Sequence, residues 1–375
     1  MKRLATFVVA LFLVATPAKA QDLIDACAPG QLTIVADPPL PGGTAVPQDI
    51  QNQFSFVCGQ VANALSNVQP SIGVAFSGGS HTLGTATTIG RRLGLFPRIS
   101  VTARVNAALA EVPDVFGGGF APTVTDGGTV SAMPTSGIPV ASLQADAVVG
   151  LFNGFSFGPM IGGVGAVDLL GSVSFIPAVQ QVQDVIGLED NIINMGIGAR
   201  VGILKQGLVM PGVSVSGMYR RMGEVTFGDL ETPDPAAFAT DLSVMSLRAG
   251  VSKGLLMFDV LAGAGYDIYT SDTRFNWNLE YDCTAPTCDP AQTIALQPQE
   301  AVAGELKTAA WNVHANVGMS ILLLNIVGEV GYQKATDLID ADALSGANIP
   351  SDQDLTETAL EGGRFFASLG VRLTL

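Results

Sequence analysis

The last eleven residues, Phe365-Phe366-Ala367-Ser368-Leu369-Gly370-Val371-Arg372-Leu373-Thr374-Leu375, decide the fold. Apolar side chains occupy every second position of this stretch, and they are Phe365, Ala367, Leu369, Val371, Leu373 and Leu375. Ser368, Gly370, Arg372 and Thr374 fill the positions between them. Because successive side chains of a β-strand point to opposite faces, this alternation predicts a strand with one apolar face.

The same alternation recurs in strand-length segments from about residue 97 to the end of the chain. Long polar stretches and tight turns, such as Asn153-Gly154, Lys205-Gln206-Gly207 and Ser252-Lys253-Gly254, join these segments alternately. Long connections at one end and short turns at the other are typical of transmembrane barrels. The pattern predicts an all-β, antiparallel up-and-down transmembrane barrel of 10–12 strands with a short N-terminal helical segment.

Ten strands are well supported, and the pattern allows up to 14. A weaker pair at Ser71–Phe76 and Thr82–Ile89 would make twelve. One face of the strands is expected to contact lipid through Val101, Leu143, Ala145, Leu169, Met195, Ile197, Val251, Val313, Leu369 and Val371. The other face is expected to present Arg104, Asp146, Asp168, Arg200, Arg248, Asp259 and His314 to the lumen.

Composition excludes other classes of protein. Of 375 residues, 48% are apolar and only 14% are charged, and the mean hydropathy is +0.40. Acidic residues interrupt every helix-length apolar run after the N-terminus, which argues against helical membrane spans. The net charge of -15 argues against a nucleic-acid partner, since phosphate recognition requires a basic face. A soluble β-sandwich is the remaining alternative, but it normally has shorter strands and a more charged outer face.

The N-terminus has the pattern of a sorting signal. Lys2 and Arg3 precede the apolar run Leu4–Ala15, and Ala18-Lys19-Ala20 fits a cleavage site. Residues 1–20 are therefore expected to be a signal peptide, removed on export. Cys27 lacks the preceding lipobox that lipid attachment requires, so the mature chain is expected to be unlipidated.

Residues 21–70 do not have the strand pattern. A Pro-rich opening at residues 38–47 indicates a linker, and apolar residues at helical spacing predict a helix from Gln48 to about Val68. This helix is expected either to plug the lumen or to rest against the periplasmic mouth. Residues 71–375 are assigned to the barrel.

Cysteine spacing suits an oxidising compartment. Cys27 is expected to pair with Cys58, and Cys283 with Cys288, which flank Thr-Ala-Pro-Thr at a loop tip. A cross-pairing is excluded if the two pairs lie on opposite sides of the membrane. The spacings fit no metal or redox motif, and with only His81 and His314 in the chain we expect neither metal nor cofactor.

No catalytic constellation emerges, so no enzyme activity is expected. His314 shares its strand face with Asn312 and Asn316, and a Ser-His-Asn arrangement occurs in outer-membrane phospholipases. Those enzymes place the histidine at the lipid-facing surface, whereas the alternation here turns His314 inward. A histidine that forms hydrogen bonds in the lumen is the better interpretation.

The C-terminal row resembles the closing strand of bacterial outer-membrane barrels, although that strand usually ends in Phe or Trp rather than Leu375. The order of parts is also similar in layout to fatty-acid-type outer-membrane transporters. The resemblance implies location in the bacterial outer membrane, contact with its lipids and lipopolysaccharide, recognition by the barrel-assembly machinery and a monomeric state. Small, mostly uncharged lumen residues favour a channel or transporter for small, partly apolar solutes. The alternative is a structural or adhesive barrel with a filled lumen.

Overall fold

The computed structural model describes residues 26–27, 30–40, 45–90, 97–113, 123–125, 135–157, 162–177, 192–227, 236–282, 294–336 and 363–374. In chain order its elements are β1 (Ile34–Asp37), α1 (Gln48–Ser77), β2 (Ile99–Pro113), β3 (Thr123–Thr125), β4 (Thr135–Phe152), β5 (Val167–Ile176), β6 (Ile192–Leu204), β7 (Gly212–Phe227), β8 (Ala236–Leu255), β9 (Phe258–Trp277), β10 (Leu279–Asp282), β11 (Ile294–Pro298), β12 (Val302–Ile321), β13 (Leu324–Ala335) and β14 (Arg364–Thr374).

Ten of these strands form a closed barrel, in the order β12-β13-β14-β2-β4-β5-β6-β7-β8-β9. Every neighbouring pair is antiparallel, and pairing of β14 with β2 and of β9 with β12 closes the ring. A closed barrel leaves no sheet edge unpaired. The structure confirms the all-β barrel class, and ten strands fall within the predicted range.

The outer and inner faces of the barrel differ in polarity. Leu369 on β14 is 64% exposed, whereas the preceding Ser368 is 5% exposed. All ten side chains predicted for the lipid face are exposed on the outside of the barrel. The alternate residues are mostly polar and buried, as in β2, where Ser100, Thr102, Arg104 and Asn106 point inward. This arrangement of an apolar exterior and a polar interior suits a membrane-spanning barrel.

The two ends of the barrel also differ. At one end, β8 and β9 are joined through Leu256 and Met257, and β12 and β13 through Leu322 and Leu323. Leu256 and Leu322 have φ angles of 57° and 56°, which tight turns require. The prediction of a turn at Ser252-Lys253-Gly254 is wrong, because the pairing of β8 with β9 continues to Leu255 and Phe258. We call this the short-turn end and the opposite end the long-loop end.

A second sheet of four strands, in the order β1-β11-β10-β3, lies at the long-loop end. Its strands β3, β10 and β11 belong to connections between barrel strands, and β1 comes from the N-terminal segment. The sheet packs around an apolar core with α1 and with the parts of β9 and β12 that lie at the long-loop end. In that core Phe54 stacks on Trp277 with ring centroids 4.8 Å apart. We call residues 26–68 together with β3, β10 and β11 the N-terminal module, as far as these residues are described.

The structure contains the expected Cys27–Cys58 disulfide, within the core of the N-terminal module. Of the helix for which a place in the lumen or at the periplasmic mouth was considered, the first part packs in the N-terminal module and the last part lies inside the barrel. Cys283 and Cys288 lie outside the described residues.

Helix α1 crosses the expected domain boundary at residue 70 and continues to Ser77 inside the barrel. The strand predicted at residues 71–76 is helical, and the strand predicted at residues 82–89 is irregular chain. Both predictions were wrong because apolar alternation over so few residues does not distinguish a barrel strand from a segment enclosed by one. No helix in the described ranges is long and apolar enough to span a membrane.

A charge on the outer face tests whether this surface is in lipid. We expect Leu369→Arg, in the middle of β14, to lower the free energy of unfolding in lipid vesicles by about 2–4 kcal/mol, because arginine is costly at the bilayer midplane. Leu373→Arg, on the same outward row at the short-turn end of β14, is the matched control and should cost about 0–1 kcal/mol. Equal effects of the two substitutions in urea titrations would contradict a lipid-facing β14.

Candidate functional site

The interior of the barrel is occupied by the chain's own residues 69–90, which we call the plug segment. Its first part is the end of α1. There Gln69 accepts a hydrogen bond from Thr308 at 3.0 Å and donates one to Ser271 on the wall. A side chain on Gly73 would lie 2.0 Å from Cε1 of Tyr269, so the helix and β9 approach as closely as a glycine permits. The helix and β9 are therefore in direct contact at this level.

The wall also binds the carbonyl groups at the end of α1. The last carbonyls of a helix have no partner within the helix. Here Ser142 donates to the Ala75 carbonyl at 2.5 Å and Arg104 donates to the Ser77 carbonyl at 3.0 Å. Barrel side chains therefore supply the partners that water supplies at an exposed helix end.

Glu329 on β13 binds the turn that follows the helix. Its two carboxylate oxygens accept hydrogen bonds from the backbone N–H groups of Gly79 and Ser80, each at 2.9 Å. Asn316 and Ser368 donate to the same carboxylate, at 2.9 and 3.1 Å. Hydrogen bonds to a charged group are about twice as strong as neutral ones, so this buried carboxylate is a principal anchor of the plug segment.

Two buried ion pairs bind the same turn from other strands. Arg104 lies 3.0 Å from Asp146 and donates to the Ser80 carbonyl at 2.9 Å. Arg248 forms two hydrogen bonds with Asp267, at 2.7 and 3.0 Å, and donates to the carbonyl of Gly79. Buried charges are tolerated when they are paired and their remaining donors are satisfied. The plug backbone accepts two hydrogen bonds from the remaining donors of Arg104 and one from those of Arg248.

The plug segment continues as irregular chain toward the short-turn end. The Gly84 N–H donates to Asn316 at 2.9 Å, and the Ala86 N–H donates to Ser252 at 2.9 Å. The Ile89 N–H donates at 3.1 Å to Asp168, which forms a 2.7 Å ion pair with Arg200. From Gln69 to Ile89, wall side chains thus bind the segment at successive levels of the barrel.

The structure brings most of the predicted lumen residues together around the plug segment. The side chains of Arg104, Asp146, Asp168, Arg200, Arg248 and His314 are buried inside the barrel. Asp259 differs, since it is half-buried at the short-turn end and accepts a 3.0 Å hydrogen bond from Asn325 rather than binding the plug segment. His314 faces inward with Asn312, and the two side chains are 3.2 Å apart.

Sequence analysis missed three central residues, namely Glu329, Asp267 and Arg220. All three lie on the inward row of their strands, so strand parity would have placed each in the lumen. Arg220 is fully buried and donates to Ser246 at 3.4 Å. Parity does not reveal that Glu329 and Asp267 organise the plug, because that role depends on a segment about 180–250 residues away in the sequence.

His81 and Ser216 form a buried pair in which Nδ1 lies 2.9 Å from the serine oxygen. The adjoining space of about 20 Å³ holds about one water. A second cavity of about 220 Å³ reaches His81 from the short-turn end.

No group of three or more His, Cys, Asp or Glu side chains in the described ranges is placed to hold a metal ion. The carboxylates of the lumen instead accept hydrogen bonds from arginines, amides and backbone N–H groups. The polar side chains of the lumen therefore bind the backbone of the plug segment.

Removal of the charge of Glu329 tests its role as an anchor. We expect Glu329→Gln to lower the free energy of unfolding by about 2 kcal/mol, because an amide keeps one acceptor oxygen and leaves a backbone N–H unsatisfied. Amide hydrogen exchange at Gly79 and Ser80 should accelerate. The control Glu224→Gln, in an exposed ion pair with Arg274, should cost about 0–1 kcal/mol. Unchanged exchange at both amides would show that Glu329 does not hold the plug.

No family model matches the chain, and no curated protein matches its sequence. Among solved structures, the outer membrane protease OmpT from Escherichia coli matches 74% of this chain and 96% of its own, at 10% identity and a TM-score of 0.33. Ail, the attachment invasion locus protein of Yersinia pestis, matches 75% of this chain and 100% of its own, at 8% identity and a TM-score of 0.26.

The toluene transporter TodX from Pseudomonas putida matches 80% of this chain and 97% of its own, at 8% identity and a TM-score of 0.24. By their names, these three proteins are a protease, an attachment protein and a transporter. The closed barrel, its apolar outer surface and its polar interior are the architecture of a bacterial outer-membrane β-barrel.

Proposed function

We propose that this outer-membrane barrel is kept closed by its own plug segment and serves to hold the N-terminal module at the cell surface. This is the structural or adhesive alternative among the two functions considered from the sequence. The observation that carries it is the set of hydrogen bonds between the plug backbone and the wall, from the Ala75 carbonyl to the Ile89 N–H. A lumen bound in this way is not an open pore.

The orientation of the barrel supports the display role. Outer-membrane barrels have long loops on the extracellular side and short turns on the periplasmic side. The N-terminal module lies at the long-loop end, whereas β14 ends at the short-turn end. On this orientation the chain begins outside, passes inward through the lumen as the plug segment, and starts β2 at the periplasmic end.

The construction of the N-terminal module fits a surface role. One disulfide and an aromatic stack hold it together, and its sheet includes strands from two long barrel connections. Acidic residues are numerous in another long connection. Residues 337–361 contain no Lys or Arg and seven acidic residues, namely Asp337, Asp340, Asp342, Asp352, Asp354, Glu357 and Glu361. We propose that such acids contact lipopolysaccharide through bridging divalent cations.

A gated route for small, partly apolar solutes is the second candidate. It is favoured by a cavity of about 220 Å³ that opens at the short-turn end and extends along the plug segment to His81. Passage beyond His81 requires the bonds of Arg104, Arg248 and Glu329 to the plug backbone to break.

We further propose that the chain is a monomer without cofactor or catalytic activity. It is exported by its N-terminal signal and assembled into the membrane through β14.

Accessibility of an inserted epitope tests the orientation. We expect an epitope inserted after the exposed Ala45 to be detected on intact cells, because the module lies at the outer end. The same epitope inserted after Gly207, in the turn between β6 and β7, should be detected only after the outer membrane is permeabilised. The reverse pattern would overturn the display role.

Electrical recording tests closure of the lumen. We expect the full chain in planar bilayers to give no stable conductance steps, since the plug segment is bound at successive levels of the barrel. Long-lived openings of the folded full chain, verified by its unheated gel mobility, would favour the solute route over the display role.

A further inference from the structure

The cavity at the short-turn end has a charge opposite to that of the whole chain. The chain has 33 acidic and 18 basic residues, yet the cavity is lined by Arg98, Arg200, Lys205 and Arg372 and by one acid, Asp146. Asp146 already pairs with Arg104, and Arg200 with Asp168. Arg98, Lys205 and Arg372 form no ion pair within 4.0 Å in the described ranges, although the charge of Asp259 acts on Arg372 from farther away.

The cavity opens at the short-turn end, and most of the residues that line it carry a polar group. Arg98, Lys205 and Thr374 at its mouth are exposed, and Arg372 is half-buried. Seven of its fifteen lining residues carry a hydroxyl group, and these are Thr82, Thr85, Thr87, Thr88, Ser100, Thr102 and Thr374. Thr82 and Ser100 already donate to the carbonyls of Thr85 and Leu373, and the hydroxyl groups of the other five residues add neutral donors to the positive charge.

The inner end of the cavity offers a further polar group. His81 lines it, and the buried Nε2 of His81 has no hydrogen-bond partner among the described residues. The Arg372 guanidinium donates to the Leu83 carbonyl at 2.8 Å, which fixes its position on the cavity wall and leaves its other N–H groups for a ligand. The site is therefore held in place by the plug segment as well as by the barrel.

We propose that this cavity binds a small phosphate-bearing anion from the periplasm. A guanidinium group matches the geometry of phosphate oxygens, and an ammonium group adds a mobile point charge. The volume of about 220 Å³ lies below the roughly 300–1,000 Å³ of pockets for drug-sized ligands, so the ligand has few heavy atoms. The periplasmic source of the ligand rests on the orientation proposed above, whereas the binding itself does not, because no residue that lines the cavity belongs to the N-terminal module.

Calorimetric titration with inorganic phosphate tests the proposal on the folded full chain in an uncharged detergent at low, constant ionic strength. We expect saturable binding with one phosphate per chain. Lys205→Glu should abolish binding, because it reverses a charge at the mouth, and Arg372→Gln should weaken binding about tenfold or more, as loss of a charge-assisted contact does. Lys205 is exposed, so its variant is expected to fold even if the Arg372 variant does not.

Arg221→Gln is the matched control, because Arg221 is exposed on the outside of the barrel and pairs with Asp241. Its variant should bind phosphate as the unmodified chain does. Absence of saturable binding, or an equal loss in the Arg221 and Lys205 variants, would overturn the proposal.

The phosphate group has two sources in the periplasm, namely soluble anions and lipid headgroups. A short-chain phosphatidic acid added as competitor separates them. Phosphate binding that persists in its presence supports a soluble anion, whereas displacement at equal concentration overturns the soluble source and assigns the cavity to a lipid phosphate. Failure of the titration leaves the epitope and conductance results unaffected, so the two proposals are tested separately.

Discussion

The structure depends on one constraint, which is that peptide groups inside a water-poor lumen need hydrogen-bond partners. A strand of the wall bonds to its neighbours, but irregular chain in the lumen has no such neighbours. Here the partners are side chains that point inward from the wall, with Glu329, Arg104 and Asp168 as the main ones. The polar row of each strand is thus matched to the backbone of residues 77–90 as well as to the interior of a barrel.

This constraint also explains the charges in the lumen. Buried ion pairs contribute little to stability when they are compared with apolar packing of the same volume, because desolvation offsets their attraction. In this chain Arg248 and Asp267 bind each other while Arg248 also donates to the plug backbone. The role of these pairs is therefore to fix the position at which the plug segment crosses the lumen.

Sequence periodicity predicts the strands of the barrel but does not predict the plug segment. The outward row from Val101 to Val371 follows from alternation within each strand, which is a local property. Residues 71–76 show similar local alternation but are helical, because their environment is set by strands far away in the sequence. In the same way, parity places Glu329 in the lumen, whereas its partners Gly79 and Ser80 lie about 250 residues earlier. Local patterns cannot give such pairings.

The path of the chain through a closed ring of strands sets an order of assembly. The N-terminal module contains β3, β10 and β11, so its core is complete only when the strands that flank them are in place. A finished module at one mouth cannot then be drawn through a lumen already filled by α1. The ring must therefore close around the plug segment, or the plug segment must enter the lumen before the N-terminal module folds. Once folded, the module is too large to pass through the barrel and keeps the plug segment in the lumen.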